Sequence, residues 1–147
     1  MPLKLIKGVL DDAGRPRIPR TEVQQRFPLP ANVLDRLEEI GVLTPEAGGY
    51  DADDVAVIEA IVRFRAGGYE EALGFTVYDT LRYKRALEEL VKEEVQVLMD
   101  RVAGELDTDR AVELIAAGAE PLNDLIAALH QKALVGELRR QRAARSN

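Results

Sequence analysis

The sequence contains no cysteine and no tryptophan, and aromatic residues account for only 5% of its 147 residues. The absence of cysteine excludes disulfide bonds and thiolate metal sites, and it is typical of proteins from the reducing cytosol. We therefore expect a cytoplasmic protein. Because large rings are scarce, Leu, Ile, Val and Ala must fill the core, and side chains of this kind favour packed helices.

Signals for membrane insertion and for catalysis are also missing. No uncharged apolar run reaches the roughly 18 residues that a membrane-spanning helix needs, and the N-terminal segment lacks the features of a signal peptide. There is no glycine-rich phosphate loop, nucleophile elbow or metal-ligand spacing, and His130 has no ligand-type neighbour three or four residues away. We therefore expect no membrane association, no cofactor, no metal and no enzymatic activity.

Positive charge is scarce over most of the chain, whose formal net charge is −6. Residues 1–50 are balanced, whereas residues 51–137 contain 9 Lys and Arg against 19 Asp and Glu. The last ten residues carry Arg139, Arg140, Arg142 and Arg145 and no acid. Because strong DNA binders neutralise phosphates with a basic face, the acidic region indicates either a solvated surface or a basic protein partner.

The spacing of apolar residues predicts a mainly helical fold with one small β-element. The predicted helices are residues 2–10, 19–27, 31–40, 51–66, 77–103 and 108–117, and a last helix that starts at Pro121. Gly41, Gly67 and Gly118 mark helix ends, and Thr76 fits an N-cap. Residues 42–44, 45–49 and 50 are predicted to form a strand, a turn and a short return strand. We expect the polar tail after Arg139 to fray.

The order of these elements and several short segments resemble the MerR family of bacterial transcription regulators. Residues 33–45 (VLDRLEEIGVLTP) are similar to the family's acidic-apolar-Gly-Leu-Leu helix end, and Gly49-Tyr50 and residues 53–55 to its wing and next helix start. Residues 61–69 (IVRFRAGGY) and 73–77 (LGFTV) are similar to the end of that helix and the turn after it. The resemblance covers about residues 16–103.

What the resemblance implies is a winged helix-turn-helix with a small β-wing, then a long dimer-forming helix and a C-terminal helical arm. Residues 1–75 would be the winged helix-turn-helix domain, and residues 76–147 the dimerisation helix and regulatory arm. Residues 2–7 resemble the last helix of an N-terminal MerR-type domain. We therefore expect the C-terminal portion of a longer homodimeric transcription regulator, which binds double-stranded DNA directly or through that missing domain.

Six residues on or beside the first two helices of the motif are candidates for DNA contact. Arg17 and Arg20 would bind phosphates, while Asn32 and Arg36 have the side chains that recognise adenine and guanine. The six candidates are Arg17, Arg20, Thr21, Ala31, Asn32 and Arg36. The recognition helix lacks the family's Arg-Tyr-Tyr element and the turn at residues 44–49 lacks basic residues, so an alternative stays open. This is a protein-interaction or small-molecule-sensing helical module without direct DNA contact.

Most of the few aromatic residues fall between residues 50 and 83, which favours one of two arrangements. In the first arrangement, these residues line a pocket for a small hydrophobic effector. In the second, they pack the wing onto the helices that follow. The candidates for the pocket are Tyr50, Phe64, Tyr69, Phe75 and Tyr78. The adjacent acids of the long helix have Lys or Arg three or four residues away, a pattern that is typical of a solvated helix face.

Overall fold

The computed structural model describes residues 16–69, 71–102 and 108–146, and over these residues the chain is mainly helical, as predicted. The α-helices, in chain order, are α1 (Arg20–Arg26), α2 (Ala31–Glu39), α3 (Ala52–Ala66), α4 (Thr80–Val102) and α5 (Thr108–Ser146). Single 3₁₀ turns at Glu71–Leu73 and Val77–Asp79 lie between α3 and α4. The helix predicted at residues 2–10 lies outside the described residues.

The described residues up to residue 97 belong to one compact unit, and those from residue 98 onward belong to another. The first unit contains α1, α2, α3, both 3₁₀ turns and most of α4. The second unit contains the end of α4 and all of α5. The predicted division into domains after residue 75 stays a prediction.

A proline corner separates α1 from α2. Pro19 and Pro30 occupy the N-cap positions of the two helices, with φ of −60° and −61°. The proline ring fixes φ near this value, so both residues are already set for the step from extended chain into helix. Leu29 is buried in the core between its two proline neighbours. The corner is therefore both stiff and anchored, and it gives the helix–corner–helix predicted for residues 19–40.

The end of α2 is a Schellman motif at Gly41, which confirms the predicted helix end. The N–H of Gly41 donates to the carbonyl of Glu38 at 3.1 Å, and the N–H of Val42 donates to the carbonyl of Leu37 at 2.9 Å. Gly41 has a φ of 77°, a conformation that glycine adopts without a clash from Cβ. The chain therefore turns sharply and leads Leu43 back into the core.

The segment after α2 departs from the prediction, because no strand forms in the described residues and the predicted β-wing is not seen. The N–H groups of Val42 and Leu43 both donate to the Leu37 carbonyl, at 2.9 and 3.1 Å, and Pro45 has no N–H. The donors that a strand would need are thus used by the helix end. What remains is an isolated bridge across the turn, between Glu46 and Gly49.

A second isolated bridge ties this segment to the chain that enters α1. The N–H of Ile18 donates to the carbonyl of Tyr50 at 2.8 Å, and the N–H of Tyr50 donates to the carbonyl of Ile18 at 2.9 Å. Tyr50 is 1% exposed, so the bridge is sealed by a buried ring. The turn at residues 45–49 is therefore held in one place although it lacks a strand ladder.

α3 begins and ends where the sequence predicted. The carboxylate of Asp51 accepts the N–H of Asp54 at 2.8 Å and so caps the first turn. At the other end, the N–H of Tyr69 donates to the carbonyl of Phe64 at 3.3 Å. The rings of these two residues stack with centroids 4.0 Å apart and planes 13° apart. A ring contact of this kind commonly accompanies a Schellman helix end.

The buried core of the first unit is small and almost entirely aliphatic. It is built from the apolar sides of α1, α2 and α3, from the proline corner and from the loop after α2. Its members are Val23, Leu29, Val33, Leu34, Leu37, Leu43, Tyr50 and Ile58. Because α2 contributes three of them, its opposite side is left to face outward.

Thr76 caps the approach to α4, as predicted, through a capping box around the 3₁₀ turn. The N–H of Tyr78 donates to the hydroxyl of Thr76 at 3.3 Å, and the N–H of Thr76 donates to the carboxylate of Asp79 at 2.7 Å. α4 then runs to Val102, close to the predicted end. No helix in the described ranges is long and apolar enough to cross a membrane.

α5 is one continuous helix where the sequence predicted two, with a break at Gly118. Pro121 lies inside it. Proline removes one backbone hydrogen bond, but its fixed φ is compatible with a helix. The helix therefore continues past Pro121, because the residues on both sides include strong helix formers. The tail predicted to fray is also helical, up to Ser146. An ion pair of Glu137 with Arg140 supports that last section.

Candidate functional site

The outward side of α2 carries the two base-recognising candidates on one strip of surface. Asn32 and Arg36 are four residues apart, so they lie one helical turn from each other, and both are exposed. Thr21 and Ala31, which were predicted to accompany them, are exposed as well. The structure thus brings these four candidates to the surface of the α1–α2 pair.

Arg20 is placed differently, because acidic side chains of α2 hold it. Its guanidinium lies 2.7 Å from the carboxylate of Asp35 and 3.0 Å from that of Glu38, and it also donates to the carbonyl of Ala31 at 2.8 Å. The hydrogen bond with Asp35 is the main reason why the pKa of Arg20 is raised. Arg20 therefore joins α1 to α2 and compensates acids that would otherwise repel a phosphate backbone.

Arg17 supports the turn after α2. Its side chain is only 15% exposed, donates to the carbonyl of Gly49 at 3.3 Å and lies 3.4 Å from the carboxylate of Glu46. A residue predicted to bind phosphate is thus built into the contact between the entry to α1 and the turn. Arg17 therefore holds the turn in position, and little of its side chain is exposed to solvent.

Arg36 is bound by a hydroxyl instead of a carboxylate. Its guanidinium donates to the hydroxyl oxygen of Tyr78, which belongs to the 3₁₀ turn Val77–Asp79. Tyr78 was predicted to line the aromatic pocket, and the structure places its hydroxyl against the exposed side of α2. Nothing in the local spacing of either residue signals this contact, because it joins positions 42 residues apart.

The aromatic pocket contains three of the five residues predicted for it. A cavity of about 50 Å³ lies between the end of α3, the 3₁₀ turn Val77–Asp79 and the start of α4. Phe64, Tyr69 and Phe75 line it, and the ring of Tyr69 meets that of Phe75 edge-on at 4.9 Å. The apolar lining is completed by Ile61, Val77 and Tyr83, which were not predicted from the sequence. Tyr83 lies three residues after Thr80 on α4, so both side chains face the same side of the helix. This helical spacing could have placed Tyr83 in the pocket from the sequence.

The size of this cavity bears on the predicted small hydrophobic effector. Pockets for drug-sized ligands usually have about 300–1,000 Å³, and an engineered cavity of about 150 Å³ holds benzene. The observed 50 Å³ accommodates less than one ring. This cavity does not hold a drug-sized ligand in the observed arrangement of its side chains, and the effector stays a prediction.

Tyr50 belongs to the core and not to the pocket. Its hydroxyl donates to the carboxylate of Glu38 at 3.3 Å, so it is linked to the same acid as Arg20. Burial, followed by the negative charge of Glu38, raises the pKa of Tyr50 to about 12. Arg20, Glu38 and Tyr50 thus form a polar connection between α1, α2 and the loop that precedes α3.

Asp54 is the buried acid of the first unit, at 5% exposure. One carboxylate oxygen accepts the N–H of Thr44 at 3.3 Å, while the other has no hydrogen-bond partner among the described residues. Burial raises the pKa of Asp54, and the hydrogen bond from Thr44 opposes this rise. Asp54 ties the start of α3 to the loop after α2, so its role in the structure is to fix the loop.

The remaining polar candidates lie on solvated surfaces. On α4, Lys84 pairs with Glu88 and Lys92 with Glu89, which is the arrangement that the sequence predicted. His130 on α5 is exposed. Across the described residues, no group of three or more His, Cys, Asp or Glu side chains is arranged to hold a metal ion.

Comparison of the chain with protein-family models, with curated proteins and with solved structures finds no match.

Proposed function

We propose that this chain is a helix-turn-helix segment of a bacterial transcription regulator, which contacts double-stranded DNA through the exposed side of α2 and associates with a second copy through α4. The observation that carries the proposal is the pair Asn32 and Arg36, one turn apart on the outward side of a helix that α1 holds across a stiff corner. An amide and a guanidinium are the side chains best suited to recognise base edges in the major groove. We further propose that the turn at residues 45–49 occupies the position of the wing.

The charge around α2 opposes this proposal less than the acidic residues of the helix alone would indicate. Asp35 and Glu38 point toward Arg20, which bonds to both of them. Arg20 thereby offsets one of these two negative charges, because opposite charges in direct contact cancel most of each other's field at a distance. Arg36 then stands out as a positive group on the same face as Asn32.

Binding of the full chain to duplex DNA tests the proposal. We expect fluorescence anisotropy at low salt to show binding to duplexes selected from a random pool, with an affinity that falls as salt is added. Replacing Arg36 with Gln should weaken binding at least about fivefold and relax the sequence preference at one base pair, as expected for an arginine that recognises a base. Arg139→Gln, at an exposed position on α5, is the matched control for loss of one positive charge. Absence of any duplex binding at low salt would refute DNA contact by this chain.

A protein-interaction module is the second candidate, and the charge of residues 51–137 favours it. This region has 10 more acidic than basic residues, so it suits a positively charged protein surface. We expect such a module to bind an arginine-rich peptide in a salt-dependent way and to ignore duplex DNA. A chain that binds DNA and ignores the peptide excludes this candidate.

A further inference from the structure

The neutral partner of Arg36 distinguishes it from Arg20 on the neighbouring helix. Arg20 bonds to two carboxylates, whereas Arg36 bonds to the hydroxyl of Tyr78. Within the described part of the chain, no carboxylate lies within 4.0 Å of the Arg36 guanidinium. Arg36 is therefore not joined to a carboxylate of the described residues by an ion pair. A guanidinium has five N–H donors, so one bond to Tyr78 leaves several for a base or a phosphate.

The backbone that carries Tyr78 is itself firmly placed. The 3₁₀ turn that carries Tyr78 is closed by the Thr76 capping box, with the N–H of Thr76 donating to Asp79 at 2.7 Å. The hydroxyl of Thr80 donates to the carbonyl of Val77 and closes the same turn from the other end. A tyrosine side chain has only two rotatable bonds, so it loses less conformational entropy than an arginine when it forms a contact. The turn therefore fixes the backbone from which the Tyr78 ring extends, and the half-exposed ring reaches Arg36 from there.

We infer that Tyr78 is a positioning residue for Arg36, which holds the guanidinium ready for nucleic acid without neutralising it. The inference rests on the proposed function and names a residue outside the helix-turn-helix that affects its affinity. A free arginine side chain loses rotamer entropy when it is immobilised in an interface. Where Tyr78 has already restricted the side chain, that cost is smaller, and the complex with DNA is tighter.

Removing the Tyr78 hydroxyl tests this inference. We expect Tyr78→Phe to weaken duplex binding by about two- to tenfold, the range that corresponds to immobilising one long side chain. The salt dependence should not change, because the number of phosphate contacts stays the same. Ser146→Ala removes a hydroxyl near the end of α5, where it donates to the carbonyl of Arg142, and we expect this variant to bind as the unmodified chain does. Urea unfolding of each variant establishes that it is folded.

A double-mutant cycle separates positioning from a general effect on the fold. In a chain that already carries Arg36→Gln, adding Tyr78→Phe should have no further effect on affinity. A similar loss with and without Arg36 overturns the inference, as does unchanged affinity of the single Tyr78→Phe variant. If the unmodified chain binds no duplex, the proposed function and the inference fall together. If it binds and only the cycle fails, the proposed function stands.

Discussion

Arg20 is the side chain through which α1 and α2 are joined at the surface. It reaches from the first residue of α1 to Asp35 and Glu38 on α2, and Glu38 in turn accepts the hydroxyl of the buried Tyr50. The side chain of Arg20 is 33% exposed, so these bonds are partly sheltered from water. A sheltered, hydrogen-bonded pair contributes more to stability than a fully exposed one.

We expect Arg20→Gln to lower the free energy of unfolding by about 1–2 kcal/mol, because two acids and a backbone carbonyl lose a charged donor. Urea unfolding followed by circular dichroism measures this change. Lys92→Gln is the control, since Lys92 pairs with Glu89 in full contact with water. Its effect should stay below about 0.5 kcal/mol. Equal effects of the two substitutions would mean that Arg20 is an ordinary surface residue.

Tyr50 makes stability depend on pH in the alkaline range. Its pKa is raised to about 12 in the folded chain, against about 10 in an unfolded one. Below pH about 10 the hydroxyl is protonated in both states, and its stabilising contribution is complete. As the pH rises toward 12, the unfolded state ionises first, so the free energy of unfolding falls by about 2–3 kcal/mol.

A Tyr50→Phe variant lacks this ionisation and provides the comparison. We expect the stability difference between the unmodified chain and the variant to shrink by about 2 kcal/mol between pH about 9 and about 11.5. Urea unfolding at the two pH values measures it, and the loss of the bond to Glu38 cancels as a constant offset. A difference that is independent of pH would show that the hydroxyl titrates normally.

At the scale of the elements, the turn at residues 45–49 requires glycine at position 49, because there is no room for a side chain there. Gly49 has a φ of 114°, and a Cβ built there would overlap the carbonyl of Ile18, which is fixed by the bridge to Tyr50. Gly48 has a φ of 98°, but the nearest atoms to its Cβ are 3.7 Å away on the flexible side chain of Arg17. Substitution of either glycine therefore incurs the cost of a left-handed backbone conformation. Only substitution of Gly49 also incurs a steric clash.

We expect Gly48→Ala to cost about 1 kcal/mol, which is the usual cost of a left-handed residue with a Cβ. Gly49→Ala should cost more than about 2 kcal/mol in addition, because backbone must move to admit the methyl group. Thermal and urea unfolding of the two variants gives both values. If Gly49→Ala were as mild as Gly48→Ala, the bridge between Ile18 and Tyr50 would not be rigid.

The same elements show what the sequence could and could not predict. Helix ends set by local chemistry, at Gly41 and Asp51, were predicted correctly, because the cap and its partner lie within a few residues. The strands at residues 42–44 and 50 were not formed, since the donors of Val42 and Leu43 go to Leu37. The alternation of apolar and polar residues does not show which carbonyl these backbone N–H groups will bond to, and therefore could not exclude the strand.

The candidate site was likewise predicted in part: its place on α2 was predicted, whereas its long-range contacts were not. The exposed strip with Asn32 and Arg36 followed from the apolar spacing of α2, which fixes its inward side and hence its outward one. The contacts of Arg36 with Tyr78 and of Arg20 with Glu38 join positions 42 and 18 residues apart. Such pairs depend on how helices pack, and a single sequence carries no periodic signal for them.

At the scale of the whole molecule, the apolar side of α4 is left about half exposed. Tyr83, Leu87 and Val91 follow one another at four-residue spacing and are 47–48% exposed. The charges beside this stripe change sign along the helix. Arg82, Lys84 and Arg85 come first, and Glu88, Glu89, Glu93 and Glu94 follow, with Lys92 among them. A second copy laid antiparallel would therefore set the basic section of each helix beside the acidic section of the other.

We expect the full chain to form a homodimer that sedimentation equilibrium detects, and Leu87→Lys to weaken it at least about tenfold by placing a charge in the buried stripe. Leu73→Lys is the control, because Leu73 is 70% exposed but lies in a 3₁₀ turn outside α4. A chain that remains monomeric at high concentration, or a dimer that tolerates Leu87→Lys, would contradict the proposed association through α4.

The capture of the Val42 and Leu43 donors by the end of α2 has one more consequence. Proteins that present a long unpaired strand offer a template on which foreign or identical chains add strands and aggregate. In the ranges of the chain that the structure describes, no such edge is exposed, because the backbone after α2 is already engaged. The backbone of this segment therefore offers no template for strand addition, and a partner held by its exposed side chains can be tuned by single substitutions.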